Sequence, residues 1–260
     1  MIKLPVGIAM YTIHRDIGDD LSATFSALRE MGYDSLEFYG DPHSYDPKAV
    51  KEALAASGLA LTGWHVEWSM LQPDRLEATL ARLGAAGCPA AIVSCLGGKW
   101  EVNHSHAEEC REIWEGYARR MNELAPILES AGMRLGYHSH NHEFELNYDG
   151  KRVHDILFEA LSPSVIIELD SGCCIQGGGN PAQVIRKNAG RDMFLHLKPY
   201  SHTRGFDIVL GDPDDAHDWP EILGALDDHC LGLLVENGSE RYDGLELAQR
   251  CLSGLRPYLA

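Results

Sequence analysis

The sequence predicts an α/β protein with the fold of a single (β/α)8 TIM barrel over residues 1–260. Eight short apolar runs alternate with helical patterns from one end of the chain to the other. The length of 260 residues is common for one barrel of this kind. No linker-like tract of proline, glycine and serine divides the chain. An open, doubly wound sheet would show the same alternation, and the count of eight strands favours the closed barrel.

The eight predicted strands are short runs rich in β-branched and other apolar residues. In chain order they are Val6–Met10, Ser35–Phe38, Leu59–Trp64, Ala90–Val93, Leu135–His138, Val165–Leu169, Met193–Leu197 and Gly232–Val235.

Helical patterns with a period near 3.6 residues fill the intervals. The first helix ends at Gly32, because glycine is the usual residue just after a helix, and the last begins near Gly244 and runs towards Leu255. The longest begins at the capping-box pattern Ser105–Glu108 and ends at Gly132, with a bend at Pro126. Its predicted buried face consists of Cys110, Ile113, Trp114, Tyr117, Met121, Leu124 and Leu128.

The composition limits the classes of partner. With 22 basic and 39 acidic residues the net charge is −17, which repels nucleic acids and anionic membranes and suits a small neutral ligand or a metal cation. The N-terminal MIKLPVGIAM is too short an apolar run for a signal peptide, and no segment approaches the ~20 apolar residues that span a bilayer, so we expect a cytoplasmic protein.

The cysteines and the spacing of the glycines indicate whether disulfides or a nucleotide cofactor are expected. Seven cysteines without a C-x-x-C pair predict reduced thiols. Neither G-x-G-x-x-G nor G-x-x-x-x-G-K-[ST] follows a strand, so no nucleotide cofactor is expected.

Polar residues follow the predicted strands at their C-terminal ends, where barrels of this kind carry their active sites. In strand order they are Tyr11 and Arg15, Glu37, His65, His138 with His140 and Glu143, Asp170, His196 with Lys198, and Glu236 with Asn237. We therefore expect these side chains to converge on one mouth.

Three of these residues indicate a metal site. Asp170, His196 and Glu236 lie at or near the ends of the apolar strands IIELD, FLHLK and LLVEN. A buried carboxylate costs several kcal/mol unless it is paired or bound to a metal. Together with Glu143 they would form a mixed oxygen and nitrogen set suited to Mn²⁺, Mg²⁺, Co²⁺ or Zn²⁺. The alternative is that His196 is a hydrogen-bonded core histidine and that Asp170 caps a turn.

The stretch YHSHNHEF leaves alternatives open. Its histidines at 138, 140 and 142 recur at every second position, which puts all three imidazoles on one side if the strand continues. They would then be metal ligands, catalytic bases, or partners that hydrogen-bond one another and nearby carboxylates.

Taken together, several segments resemble one known family. They are MYTIHRD (10–16), GYDSLEFYG (32–40), GWHVEW (63–68), LGYHSHNHEFE (135–145), ELDSG (168–172), LHLK (195–198), HDWPEIL (217–223) and VEN (235–237). In this order and spacing they resemble the xylose isomerase-like TIM barrels, known as sugar phosphate isomerases/epimerases. That family includes ketose 3-epimerases, hydroxypyruvate isomerase, inosose dehydratases and enzymes that eliminate from 3-keto-glycosides.

The resemblance implies a role for each matching position. A divalent metal would be held by Glu143, Asp170, His196 and Glu236. Catalysis would involve Glu143, Glu236, His138, His140 and Lys198, and substrate would contact Tyr11, Glu37, His65, His142, Trp100 and Cys173. On the fifth strand His138 is an alternative ligand, because the ligand of the epimerase branch ends the strand itself.

The chain also departs from the family pattern. Pro199 replaces the usual Asp, Ser139 the usual Asn, and Cys173 with Cys174 the usual bulky aromatics. These changes leave the metal set intact and affect the substrate assignment.

The expected function is that of a metal-dependent sugar isomerase/epimerase, which removes a proton next to a carbonyl through a metal-stabilised ene-diolate. The alternative is a lyase or dehydratase that acts on an inosose or 3-keto-glycoside by β-elimination, with a histidine as the acid. Related barrels cleave DNA with a multi-zinc cluster, which the negative charge disfavours, and a non-catalytic sugar-binding barrel is the remaining class. The expected partner is a small sugar or keto-sugar, and barrels of this type often pair into homo-oligomers.

Overall fold

A computed structural model describes residues 4–15, 17, 20–98 and 109–259. Within them, eight parallel strands close into a barrel in which each strand pairs with its neighbour in the chain, and the last pairs with the first. The barrel strands are β1 (Val6–Ala9), β2 (Ser35–Phe38), β3 (Ala60–Val66), β4 (Ala90–Val93), β5 (Arg134–Ser139), β8 (Ile166–Asp170), β9 (Met193–Leu197) and β10 (Cys230–Val235). The predicted (β/α)8 barrel is confirmed, and its strand ends shift by at most two residues.

Helices lie between the strands and pack their apolar faces against the barrel. They are α1 (Leu21–Met31), α2 (Pro47–Ser57), α3 (Leu76–Ala86), α4 (Arg111–Ser130), α5 (His142–Glu145), α6 (Val153–Ala160), α7 (Ser171–Gln176), α8 (Pro181–Lys187), α9 (Trp219–Gly224) and α10 (Gly244–Leu255). None of the helices in the described ranges is both long and apolar enough to cross a membrane.

Two details of the sequence prediction need correction or addition. Cys110 is exposed and stands before α4 as its N-cap, so its assignment to the buried face of that helix was wrong. A two-stranded antiparallel hairpin, β6 (Asn147–Tyr148) and β7 (Lys151–Arg152), was not predicted. The predicted helix start at 105–108 lies outside the described residues, as does Trp100.

Period-2 alternation divides the barrel interior into an apolar floor and a polar upper part. The floor consists of Ala90, Ile92, Ile166, Phe194 and Leu234, which form a separate buried cluster. Two residues further along β8, β9 and β10, the same side of each strand carries Glu168, His196 and Glu236, all of them buried. The strands therefore point apolar residues into the closed end of the barrel and charged residues towards its mouth.

Helix α10 packs directly on the backbone of the loop that follows β9. A Cβ placed on Gly254 would overlap the carbonyl oxygen of Leu210. A glycine at this position is what permits the close approach.

We expect Gly254→Ala to lower the free energy of unfolding by about 1–3 kcal/mol, because the added methyl group must push α10 off the 210–211 backbone. Gly84→Ala is the matched control, since Gly84 lies exposed in the last turn of α3 and a Cβ there meets nothing within 4 Å. That control should gain about 0.5–1 kcal/mol from helix propensity. Urea unfolding of both variants measures the difference, and a Gly254→Ala protein as stable as the parent would contradict the packing described.

Candidate metal centre

A cavity of about 430 Å³ opens at the C-terminal ends of the barrel strands. Eight of the predicted site residues line it: Tyr11, Glu37, His65, His138, His140, Cys173, Lys198 and Glu236. Asp170 and His196 are fully buried next to these residues and reach them through side-chain contacts. Most of the predicted mouth is therefore brought together.

The upper side-chain group consists of His138, Asp170 and Glu236, whose ligand atoms lie within 4.8 Å of one another. His196 joins this group through Nδ1, which is 2.7 Å from Glu236 Oε2. The three grouped side chains come from β5, β8 and the residue after β10, and His196 of β9 adjoins them through its contact with Glu236.

Asp170 serves two purposes at once. Its Oδ1 accepts the backbone N–H of Cys173 at 2.8 Å and so caps α7, as the turn-cap alternative predicted. Its Oδ2 is buried and accepts no hydrogen bond from the described residues, although Lys198 Nζ lies 3.2 Å away. The second oxygen is therefore available to a cation.

A lower group lies deeper in the barrel and is built around Glu168, which the sequence reasoning missed. Glu168 Oε2 is 2.7 Å from His65 Nε2, 2.9 Å from His138 Nδ1 and 3.3 Å from His196 Nε2. Glu37 Oε2 lies 3.0 Å from both His65 Nε2 and His196 Nε2. The strand IIELD held the missing signal, because residues 168 and 170 point to the same side of β8.

These contacts set the charges of the lower group. Burial alone would lower the pKa of His65, but Glu37 and Glu168 outweigh it and raise that pKa to about 10. Burial opposes the charged form of His196 as well, and the same two carboxylates raise its pKa well above the usual value. Without a metal, both imidazoles are therefore protonated at neutral pH.

Nearer the mouth, Lys198 and Glu236 form a buried ion pair at 2.7 Å. Burial would raise the pKa of Glu236, yet Lys198 and His196 hold it well below its usual range. Burial would lower the pKa of Lys198, yet Asp170 and Glu236 raise it. His140 differs from both, since burial together with its neighbour His138 puts its pKa well below 6.5 and leaves the ring neutral.

Glu143 lies apart from both groups. Its carboxylate accepts hydrogen bonds from the Tyr137 hydroxyl and, at 2.9 Å, from the backbone N–H of His140, and it is 3.3 Å from His142 Nε2. The chain turns into α5 directly after β5 and carries residue 143 away from the upper group. Glu143 thus anchors the loop that presents His140 to the cavity, and His142 contacts the Leu96 carbonyl at 2.9 Å.

The rim of the cavity is aromatic. Tyr11 and Tyr39 meet edge to face at 5.2 Å, and Lys198 Nζ lies 4.9 Å from the centre of the Phe206 ring. Phe206 and Trp68 also line the cavity, whereas Trp64 stacks on Phe38 in the core. Two sides of the mouth therefore offer faces on which a sugar ring can stack.

All seven cysteines lie within the described residues and none of them is in a disulfide, in agreement with the predicted reduced thiols. Cys173 lines the cavity with its Sγ 4.0 Å from Lys198 Nζ, and burial raises the pKa of its thiol. Cys174 is buried in the core.

Comparison with known proteins agrees with this architecture. Residues 25–235 match the family described as xylose isomerase-like TIM barrel. The chain is 28% identical over 192 residues to the inosose dehydratase of Geobacillus kaustophilus (strain HTA426), a match that covers 68% of this chain and 61% of that protein. It spans 61% and 59% of the length of the two curated relatives it matches.

Solved structures share the fold. A sugar phosphate isomerase/epimerase from Parabacteroides distasonis ATCC 8503 has a TM-score of 0.82 at 17% identity, with 100% of this chain and 96% of that chain covered. The IOLI protein, solved with a binding zinc atom, has a TM-score of 0.71 at 13% identity, with 98% of each chain covered. At these identities the likeness establishes the fold.

The raised pKa of His65 makes the stability of the metal-free protein depend on pH. The folded protein binds this proton up to about pH 10 and the unfolded chain only up to about 6.5. The contribution is therefore complete below pH 6.5 and is lost as the pH rises through about 10. Chelator-treated protein should lose unfolding free energy over this window more steeply than a His65→Gln variant in urea titrations. Parallel curves for the two proteins would contradict the charge assignment.

Proposed function

The chain belongs to the xylose isomerase-like TIM barrel family, and from this premise we propose that it is a divalent-metal-dependent enzyme that removes the proton next to the carbonyl of a small polyhydroxylated ketone. One observation carries the proposal. The ligand atoms of His138, Asp170 and Glu236 lie within 4.8 Å of one another beside a cavity large enough for a sugar ring, and His196 Nδ1 lies 2.7 Å from Glu236 Oε2.

The donor set fits a divalent cation. Two imidazole nitrogens and two carboxylates suit Zn²⁺, Co²⁺ or Mn²⁺, and Asp170 Oδ2 accepts no hydrogen bond. We assign the ligand from β5 to His138 in place of Glu143, because His138 Nε2 faces Asp170 Oδ2 at 3.8 Å while Glu143 is held by Tyr137. When bound, the cation supplies a Lewis acid for the negative charge that develops on the substrate oxygens.

The acid–base chemistry falls to groups that line the cavity. His140 is neutral at pH 7, because burial and His138 lower its pKa, so its imidazole can accept a proton from carbon and later return one. Lys198 stays charged between Asp170 and Glu236 and can hold an anionic oxygen of the substrate. The loop anchored by Glu143 fixes where His140 stands.

Of the two outcomes considered, β-elimination from an inosose or 3-keto-glycoside is the better supported. Epimerisation requires acid–base groups on opposite faces of the carbon, and Glu143, the partner expected for Glu236, does not line the cavity. The curated relative at 28% identity is an inosose dehydratase. Isomerisation or epimerisation is the second candidate, because His140 and Glu236 reach the same cavity from different strand ends.

Removal of a ligand should abolish metal binding. We expect Glu236→Gln, Asp170→Asn and His138→Gln each to weaken metal affinity by more than about 100-fold, since each removes a charged or nitrogen donor from the set. Glu143→Gln is the control: Tyr137 can still donate to its amide oxygen, so the metal should stay. Elemental analysis after dialysis measures this. Full metal content in Glu236→Gln or Asp170→Asn would disprove the site, and loss in Glu143→Gln would restore Glu143 as a ligand.

Turnover can be followed by NMR in D₂O with Mn²⁺ removed before measurement. Incubation with candidate inososes, 3-keto-glycosides and ketoses should give exchange of the proton next to the carbonyl and release of water or the aglycone. His140→Gln should lose about 10²–10⁴-fold in rate with its metal content unchanged. His229→Gln, an exposed imidazole just before β10 at the opposite end of the barrel, should match the parent.

The products decide between the outcomes. Exchange with an intact carbon skeleton and no fragment released would favour the isomerase or epimerase. Absence of exchange with every class of substrate, in protein that holds its metal, would refute the proposed chemistry.

A further inference from the structure

We propose that Glu168 is a positioning residue that fixes the tautomer of His138, accepting its Nδ1–H so that the Nε2 lone pair faces Asp170 and the cation. This inference rests on the proposed metal site and adds a residue to it that lies deeper in the barrel than the ligands.

The geometry identifies which nitrogen faces which group. His138 Nδ1 is 2.9 Å from Glu168 Oε2, and His138 Nε2 is 3.8 Å from Asp170 Oδ2. A neutral imidazole carries its proton on one nitrogen and a lone pair on the other. A carboxylate oxygen accepts hydrogen bonds, and Glu168 Oε2 lies at hydrogen-bond distance from both His65 Nε2 and His138 Nδ1. The proton therefore belongs on Nδ1.

Strand pairing makes this contact rigid. His138 of β5 and Glu168 of β8 are direct partners in the parallel register. Two residues further along β8, Asp170 is the direct partner of His196 in β9. His138 and Glu168 are 2% and 0% exposed, so the surrounding packing restricts rotation of both side chains. A ligand oriented by a carboxylate held in the adjacent strand cannot rotate away from the cation.

The ligand atoms of His65, His138, Glu168 and His196 also lie within 4.8 Å of one another, and we assign this lower group the role of a scaffold rather than a second cation site. Glu168 Oε2 lies at hydrogen-bond distance from His65 Nε2 (2.7 Å) and His138 Nδ1 (2.9 Å), and His196 Nε2 lies 3.3 Å from the same oxygen. Zinc would require nitrogens at about 2.0–2.1 Å around its own centre, and here a carboxylate oxygen takes that centre. We therefore expect one cation per chain.

Glu37 provides a matched comparison. It lies in the same buried layer and contacts His65 and His196 at 3.0 Å, but His138 makes its carboxylate contacts with Glu168 and Asp170. Loss of Glu37 therefore removes a similar charge without releasing His138.

The experiment reads the histidine ring nitrogens by ¹⁵N NMR in the full chain loaded with Zn²⁺. The parent should show one zinc per chain and His138 protonated on Nδ1. Glu168→Leu should lose this protonation pattern and about 10–100-fold in zinc affinity. Glu168→Gln, whose amide oxygen still accepts, should restore the pattern, and Glu37→Leu should leave His138 unchanged.

The outcomes separate this inference from the proposed function. His138 protonated on Nε2 in the parent, two zinc ions per chain, or an unchanged His138 pattern in Glu168→Leu would each overturn the inference while the metal site stands. A parent chain that binds no zinc would refute the metal site. The inference is then decided by the nitrogen that carries the proton of His138 in metal-free protein at about pH 8, and if Glu168→Leu does not fold, the parent spectrum alone decides.

Discussion

The constraint on which this structure depends is the mutual compensation of charges inside a closed barrel. Glu37, Glu168, Asp170 and Glu236 are at most 5% exposed, and each unpaired buried carboxylate would cost several kcal/mol. Imidazoles and one lysine neutralise them in the metal-free protein, at contacts of 2.7 to 3.3 Å. A divalent cation can take over part of this positive charge only if protons leave the histidines, so metal binding and proton release are coupled by the same contacts.

The lower and upper layers of this charged cluster make different contacts because they lie at different positions along the strands. One layer, at Glu168 and Glu37, holds carboxylates that contact imidazoles. The next residue of β8 on the same side, Asp170, has an oxygen that accepts no hydrogen bond within the described part of the chain. The lower carboxylates hold the rings of His138 and His196 in place, so a cation would bind to ligands that are already oriented. Side chains outside the ligand set commonly orient metal ligands in this way.

Much of this arrangement could be predicted from the sequence, and the exceptions have physical reasons. The eight strands were found because each is an apolar run of its own, whereas β6 and β7 are two residues each and carry no periodic pattern. Asp170, His196 and Glu236 were found because strand ends in a barrel share one mouth. Glu168 was missed because it lies two residues before the end of IIELD, and only the alternation of the strand shows that it shares a side with Asp170. The position of Glu143 could not be read from spacing, since it depends on the turn into α5 and on the distant hydroxyl of Tyr137.

The histidine run after β5 shows how one local pattern takes on three separate roles. His138 is the last inward residue of the strand and faces both layers of the charged cluster. His140 lies beyond the strand and lines the cavity, where burial and His138 keep it neutral. His142 has entered α5 and binds the Leu96 carbonyl. Equal spacing in the sequence thus gives the position we propose for a metal ligand, the position we propose for an acid–base group, and a structural contact. The reason is that the backbone changes from strand to helix within these five residues. The neutral ring of His140 beside this charge-compensated cluster suits the site to the proton transfer at carbon that we propose.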